Sequence, residues 1–241
     1  MIILITGATA GFGESMTRRF IANGHKVIAT GRREERLKTL QDELGANLYT
    51  AQLDVRNRAA IEEMIAGLPA EWQAIDVLVN NAALTLATPV MDIGVDEFDR
   101  VISTNLRGTF VGCQTMGRYF ASRGYGRIIN LASLAGQNGG TASGAHYAAS
   151  KGGILTLTKV FARELAKSGV TVNAIAPGPM DLPTVHALVP EEKMAGLLQM
   201  IPVGALGEAE FVAHAVALLA SQHASFVTGA TWDINGGLFM R

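Results

Sequence analysis

The chain has 241 residues, of which 49% are hydrophobic and 17% are charged, and its 20 Lys and Arg nearly balance 21 Asp and Glu to give a formal net charge of −1 at pH 7. This balance argues against a nucleic-acid scaffold and a polybasic membrane binder, and so apolar a chain can bury a large core, which excludes global disorder. Cys113 is the only cysteine, and the five histidines show no ligand spacing, so we expect neither an intrachain disulfide nor a metal site. Met1–Gly7 lacks the basic start of a signal peptide, and no apolar run reaches the ~18 residues of a membrane span. We therefore expect a cytoplasmic protein that binds no membrane and, from the charge balance, no nucleic acid.

Short apolar segments alternate with longer amphipathic stretches along the chain. The predicted strands are Ile2–Ile5, Lys26–Thr30, Leu48–Leu53, Asp76–Val79, Arg127–Leu131, Val170–Ile175 and Ala230–Ile234. The predicted helices are Phe12–Asn23, Glu34–Leu44, Arg58–Gly67, Val95–Arg123, His146–Lys167 and Glu208–Ala220. This alternation predicts a Rossmann-like, doubly wound α/β fold, in which a parallel sheet of about seven strands carries helices on both faces. With no repeat, linker or composition break, residues 1–241 are predicted to form a single domain.

A glycine-rich turn joins the first predicted strand to the first predicted helix. Its glycines are Gly7, Gly11 and Gly13. Glycine lets the backbone turn sharply and approach a pyrophosphate closely, and the N terminus of the following helix offers free N–H groups to phosphate oxygens. A plain strand-to-helix turn is the alternative, but the strand–turn–helix context favours a dinucleotide site.

The ends of the next strands indicate which dinucleotide binds. After the second strand come Arg32 and Arg33, where an NAD site would usually have an acid. Two guanidinium groups suit a 2′-phosphate, so the sequence predicts NADP(H), with Arg32 as the main contact; two solvated arginines at a helix start are the alternative. Asp54, after the third strand, is expected either to meet the adenine amino group or to cap a helix. Asn81 and Ala82, after the fourth strand, are expected to let the cofactor lie close to the backbone.

Three residues predict the chemistry. Tyr147 and Lys151 are four residues apart, which places them on one face of a helix. Ser133 lies 14 residues before Tyr147 and follows the fifth predicted strand, at the edge where α/β sheets place their sites. Together they predict a specific site at this edge of the sheet.

These motifs resemble those of the short-chain dehydrogenase/reductase family, and the resemblance covers essentially the whole chain. Residues 1 to about 82 resemble NADP-dependent 3-hydroxy acid dehydrogenases of that family, and the remainder is more similar to its 3-oxoacyl reductases. The sequence departs from the family pattern at Ala83, where the family commonly has glycine. The further cofactor contacts implied by the resemblance are Thr9, Phe12, Val55, Tyr147, Lys151, Pro177, Gly178, Met180 and Thr184.

The resemblance also implies a role for each catalytic residue. Tyr147 would protonate the carbonyl oxygen as hydride arrives, and Lys151 would lower the tyrosine pKa from its usual value of about 10 and bind the nicotinamide ribose. Ser133 would orient the carbonyl and stabilise negative charge on its oxygen. Asn105 would hold a water that links Lys151 to solvent, with a helix kink or cap as the alternative. His146 precedes Tyr147 but points about 100° away around the helix, so no catalytic role is expected for it.

The predicted function is an NADPH-dependent carbonyl reductase that interconverts a ketone and a secondary alcohol, with a 3-oxoacyl or other apolar keto substrate. An apolar segment at about residues 179–202 is predicted to form a substrate lid. One alternative is an oxidative NADP-dependent 3-hydroxy acid or sugar-alcohol dehydrogenase. An alternative of another class is a non-catalytic NADP(H)-binding regulator, but the intact set of Ser133, Tyr147 and Lys151 argues against it. The apolar composition and the long helices predict a homotetramer, as the family does.

Overall fold

A computed structural model describes residues 1–140 and 143–241. In this part of the chain seven parallel strands form one sheet in the order β3-β2-β1-β4-β5-β6-β7. The strands are β1 (Ile2–Thr6), β2 (Lys26–Gly31), β3 (Leu48–Gln52), β4 (Val77–Asn80), β5 (Gly126–Leu131), β6 (Val170–Pro177) and β7 (Thr231–Ile234). All seven predicted strands are present, with their ends shifted by no more than two residues.

Helices cover both faces of the sheet. They are α1 (Gly11–Ala22), α2 (Glu34–Leu44), α3 (Arg58–Ala66), α4 (Val95–Ile102), α5 (Gly108–Arg123), α6 (Ala135–Asn138), α7 (Ala145–Leu165), α8 (Pro183–Leu188), α9 (Glu191–Met200) and α10 (Ala209–Ala220). The side chains of β1 alternate between the two faces: Ile3 and Ile5 pack in a cluster with α1 and α10, whereas Ile2 and Leu4 pack in a cluster with α5. Burial on both faces explains the continuous apolar strands.

The predicted helix at Val95–Arg123 is divided in the structure. A π-helical turn at Ser103–Arg107 joins α4 to α5, and α5 ends at Gly124, whose left-handed φ of 71° is typical of a helix C terminus. The predicted lid segment contains two short helices, α8 and α9, neither of which has a fully buried residue. No helix in the described ranges is long and apolar enough to cross a membrane.

The topology fixes where a ligand can bind. After β1 the chain moves outward through β2 and β3, and then crosses back to β4 on the other side of β1. Ile5 of β1 consequently pairs with Ala29 of β2 on one side and with Val79 of β4 on the other. The reversal of strand order opens a crevice at the carboxyl ends of β1 and β4, the usual site in open α/β sheets.

Candidate active site

A cavity of about 670 Å³ lies at this crevice. The predicted site residues that line it are Gly7, Thr9, Gly11, Phe12, Arg32, Arg33, Asp54, Val55, Asn81, Ala82, Ser133, Tyr147, Lys151, Pro177, Gly178, Met180 and Thr184. Two predicted residues, Gly13 and Asn105, do not line the cavity and support residues that do.

The glycine turn is shaped by close backbone contacts. A Cβ at Gly13 would lie 2.2 Å from the carbonyl oxygen of Gly7 and 2.6 Å from Nδ2 of Asn81, so only glycine fits there. The amide of Asn81 donates to the carbonyl oxygens of Thr6 and Gly7 at 2.9 and 3.0 Å, which ties the turn to the end of β4. Gly11 has a φ of 55° and open space where a side chain would project. The turn therefore presents bare backbone and the N terminus of α1 to the cavity.

The two arginines lie at the other end of this turn. Nε and Nη2 of Arg33 donate to Oγ1 of the buried Thr9 at 3.2 and 2.7 Å, which fixes the guanidinium at the cavity rim. Burial, followed by the neighbouring charges of Arg36 and Arg32, lowers the pKa of Arg33. Arg32 is exposed and lines the same rim. This end of the cavity thus has clustered positive charge that an anion would offset.

Asp54 has a partner that the sequence analysis missed. Both of its carboxylate oxygens accept hydrogen bonds from Arg56, at 2.6–3.0 Å, and these bonds hold its pKa below the usual range. The expected capping alternative is filled by another residue, because Asn57 accepts from the backbone N–H of Ala60 at the start of α3. Asp54 lines the cavity as half of an ion pair.

Three hydroxyl groups and one amine meet at the inner wall of the cavity. Ser133 follows β5, and Tyr147 and Lys151 project from the first turns of α7. Nζ of the buried Lys151 lies 5.5 Å from the centre of the Tyr147 ring and donates to the carbonyl oxygen of Leu131 at 2.5 Å. The side chains of Ser133 and Thr85 lie next to the Tyr147 phenol in the cavity lining, and both act to lower its pKa. Thr85 lies in the loop after β4 and carries no motif that would have predicted it.

Burial shifts the pKa values of both Tyr147 and Lys151. In the protein alone, burial raises the pKa of Tyr147 although the Ser133 and Thr85 side chains act to lower it; the lowering expected from Lys151 also involves the bound, oxidised nicotinamide. Burial also lowers the pKa of Lys151 to about 8, so this side chain is still mostly an ammonium at neutral pH. In the protein alone, the phenol is therefore a firmly protonated acid.

Asn105 lies in the π-helical turn and is fully buried. Its Oδ1 accepts from the N–H of Leu84 at 2.7 Å, while its Nδ2 donates to the carbonyl oxygen of Leu84 and to Oγ of Ser150, at 3.0 and 3.1 Å. Ser150 in turn donates to the carbonyl oxygen of Tyr147 at 2.7 Å. Asn105 thus braces both the loop that carries Thr85 and the helix turn that carries Tyr147.

The outer end of the cavity is apolar. Its side chains come from α8, α9, the residues that flank α8 and the segment after β7: Leu182, Val185, Leu188, Val189, Leu197, Met200 and Leu238. Among the described residues that line the cavity, the basic side chains are Arg32, Arg33 and Lys151, and none of them belongs to this outer end. The cavity therefore joins a cationic rim, a hydroxyl-rich wall and an apolar mouth.

Comparisons with known proteins agree with this arrangement. The model of a protein family described as enoyl-(acyl carrier protein) reductase matches residues 7–239. The chain is 40% identical to the 3-oxoacyl-(acyl-carrier-protein) reductase FabG of Salmonella typhimurium over 239 residues, 99% of this chain and 97% of the relative. It is 51% identical to the NADP-dependent 3-hydroxy acid dehydrogenase YdfG of Escherichia coli over 179 residues, 74% of this chain and 72% of the relative.

A solved structure also matches the fold. The crystal structure of a short chain dehydrogenase from Bacillus anthracis superposes with a TM-score of 0.88 at 34% identity, and the match covers 100% of this chain and 97% of that one. This likeness confirms the predicted doubly wound, parallel α/β fold.

Proposed function

The chain belongs to the short-chain dehydrogenase/reductase family, and on that premise we propose that it is an NADPH-dependent carbonyl reductase of apolar keto substrates, such as 3-oxoacyl compounds. The relatives establish the broader class, an oxidoreductase acting on CH–OH or C=O groups. The observation that carries the finer proposal is the convergence of Ser133, Thr85 and Tyr147 on one wall of a cavity whose mouth is apolar.

The cavity fits a phosphorylated dinucleotide. The turn around Gly11 and Gly13 leaves a cradle that side chains would fill, and the N terminus of α1 offers N–H groups there. Arg32 and Arg33 supply charge where a 2′-phosphate would lie, and Asp54 and Val55 line the adenine side. When bound, NADPH supplies the hydride that reduces the carbonyl carbon.

The protein's own residues handle the proton. The Tyr147 hydroxyl, protonated at neutral pH because burial raises its pKa, donates its proton to the carbonyl oxygen as negative charge grows there. Ser133 donates a hydrogen bond to the same oxygen and so orients and stabilises it. The ammonium of Lys151 lies next to the Tyr147 ring and favours the phenolate that proton transfer leaves behind. Asn105 keeps the Tyr147 turn in place through Ser150.

The cavity favours an uncharged substrate. A 3-hydroxy acid would place a carboxylate on the substrate side, where the polar lining residues of the described ranges, Asn138 and Ser143, carry no charge, while the amine of Lys151 is directed to the Leu131 carbonyl oxygen. A buried carboxylate without a cationic partner is costly. An apolar ketone or acyl chain that packs against Leu188, Leu197 and Met200 avoids this cost, because it carries no charge to be buried. The 3-hydroxy acid dehydrogenase activity named for one relative is therefore the second candidate.

The proposal includes a homotetramer. Several large apolar side chains are exposed on the helices of one protomer, among them Phe98 of α4, Phe110 of α5 and Val160 of α7, at 39–44% exposure. Closed assemblies normally cover such faces. Light scattering at micromolar concentration should give about four times the 25.5 kDa of one chain, and a mass of one chain would contradict the assembly.

A substrate panel tests the activity. With NADPH, ketones, β-keto esters and 3-oxoacyl thioesters should be reduced, and an enoyl thioester and a 3-hydroxy acid serve as the competing substrates. Tyr147→Phe should lower kcat by about 10²–10⁴, the usual contribution of acid catalysis, while NADPH affinity stays nearly unchanged. If NADPH binds tightly but no carbonyl compound is reduced, the protein is a binding regulator instead.

A further inference from the structure

A hydrogen-bonded pair, the buried His146 and the partly exposed Glu97, lies next to the acid of the active site. His146, with no exposed surface, points its Nε2 at Oε1 of Glu97 on α4, 2.9 Å away. Its Nδ1 accepts a hydrogen bond from the backbone N–H of Tyr147 at 3.0 Å. A Cβ at Gly144 would lie 2.3 Å from Cε1 of the imidazole, so that glycine makes room for the ring. The imidazole therefore links α4 to the first turn of α7.

The two contacts fix the proton on the ring. Because Nδ1 accepts from the Tyr147 N–H, it carries no hydrogen, and the ring hydrogen must be on Nε2, which donates it to the Glu97 carboxylate. Glu97 is held as an anion by hydrogen bonds from Thr88 and then from His146, which lower its pKa. A carboxylate that orients an imidazole, which in turn holds a third group, is a familiar way to fix a catalytic geometry.

The contacts matter because Tyr147 lies in the first turn of its helix. The N–H groups of a first turn have no carbonyl partner within the helix, because the residues four positions earlier lie outside it. Here the Tyr147 N–H bonds to His146 and to the carbonyl oxygen of Gly144, at 3.0 Å in each case, while its carbonyl oxygen accepts from Ser150. Both main-chain groups of the acid are thus tied, through side chains, to the segment formed by α4 and the π turn.

We propose that His146 and Glu97 form a positioning pair that holds Tyr147 in the geometry required for proton transfer. This inference rests on the proposed carbonyl reductase activity. A displacement of about 1 Å in a reacting group can cost on the order of 100-fold in rate. His146→Ala and Glu97→Ala should each lower kcat at least about tenfold, while KM for NADPH stays within about twofold, because the cofactor rim lies on other elements.

The variants distinguish positioning from mere packing. If the residues act as a pair, His146→Ala with Glu97→Ala should lower kcat no further than either change alone. Glu97→Gln keeps an acceptor for the Nε2 hydrogen and should retain most of kcat. His146→Gln reaches toward Glu97 but has no acceptor beside the Tyr147 N–H, so it should resemble His146→Ala. Leu68→Ala is a stability control, since Leu68 is buried in a core cluster with Trp72 and does not line the cavity.

A spectroscopic measurement needs no substrate. The ¹⁵N resonances of the His146 ring should show a neutral imidazole with its hydrogen on Nε2, in the wild type and in Glu97→Gln. A hydrogen on Nδ1 would overturn the proposal whatever the enzyme reduces. Multiplicative losses of kcat in the double variant, or an equal loss of kcat in Leu68→Ala, would also overturn it. Failure of the proposed function would appear differently, as a wild type that reduces no carbonyl compound while the Nε2 hydrogen is observed.

Discussion

The cofactor preference can be tested by removing the guanidinium groups at the cavity rim. Arg33 is held by two hydrogen bonds to Thr9, and Arg32 is exposed on the same rim. A hydrogen bond between a charged group and its partner contributes about 1.5–3 kcal/mol, or roughly 10- to 150-fold in affinity. Since the rim is open to solvent and screened by salt, the lower end applies. Arg32→Ala and Arg33→Ala should each raise KM for NADPH about tenfold, and the double variant about 100-fold.

The assay compares kcat/KM for NADPH and NADH in the wild type and in the three variants. NADH has no 2′-phosphate, so its kcat/KM should remain nearly constant throughout. Arg36→Ala is the matched control, because Arg36 adds to the positive charge around Arg33 but does not line the cavity. It should lower kcat/KM for NADPH by no more than about twofold, the effect of a screened charge.

Three results would refute this reasoning. If the wild type favours NADH, the arginines do not bind a phosphate. If the double variant keeps the wild-type preference for NADPH, the selectivity comes from the glycine turn instead. A preference that does not weaken with added salt would also be inconsistent with a charged contact at the surface.

Three further changes test the framework of the site. Between pH 7 and 9.5, the free energy of unfolding of the wild type should rise by about 2 kcal/mol relative to that of Lys151→Met. The reason is that the lysine pKa falls from 10.5 in the unfolded chain to about 8 when buried, so the unfolded chain binds more protons in this pH range. Urea titrations without such a difference would show that Lys151 titrates normally. Gly13→Ala should abolish NADPH binding measured by fluorescence, because the new Cβ would lie 2.2 Å from a backbone oxygen. The control is Gly196→Ala, whose Cβ would have nothing within 4 Å; it should bind NADPH normally and be slightly more stable. Asn57→Ala should lower the free energy of unfolding by about 1 kcal/mol through loss of the α3 cap, and an unchanged urea midpoint would contradict that role.

The fold was predictable because its signals are local and strong. Strands buried on both faces read as continuous apolar runs, as in Val170–Pro177, and the glycine turn and the Tyr147–Lys151 spacing place the site at one sheet edge. The division of Val95–Arg123 was not predictable, because the π turn at Ser103–Arg107 contains no proline or glycine that would mark a break. The two helices of the lid region were also missed, since neither has a fully buried side.

The site was predicted less completely, because several of its contacts join residues that are far apart in the sequence. Thr85 reaches Tyr147 across 62 positions, and Glu97 reaches His146 across 49. No periodicity connects such pairs. Asp54 shows the opposite error: its position after a strand was identified, but its partner Arg56, two residues away, was overlooked.

Asn105 offers a decisive test between its expected and its observed contacts. A side chain that only held a water for Lys151 could be replaced by another water-binding group with little loss of stability. In the structure, however, its amide makes three direct hydrogen bonds, to both main-chain groups of Leu84 and to Ser150.

Asn105→Asp has nearly the same size and binds water, but loses both donors and places a carboxylate against the Leu84 carbonyl oxygen. Leaving such buried groups without partners costs about 1–3 kcal/mol each, so urea unfolding should show a loss of roughly 2–4 kcal/mol in Asn105→Asp, together with a lower kcat. Ser150→Ala, which breaks only the link to Tyr147, should cost less stability but lower kcat as well. If Asn105→Asp unfolds at the wild-type urea concentration while kcat falls, the water relay is the better account, because a relay affects proton transfer without contributing to the fold.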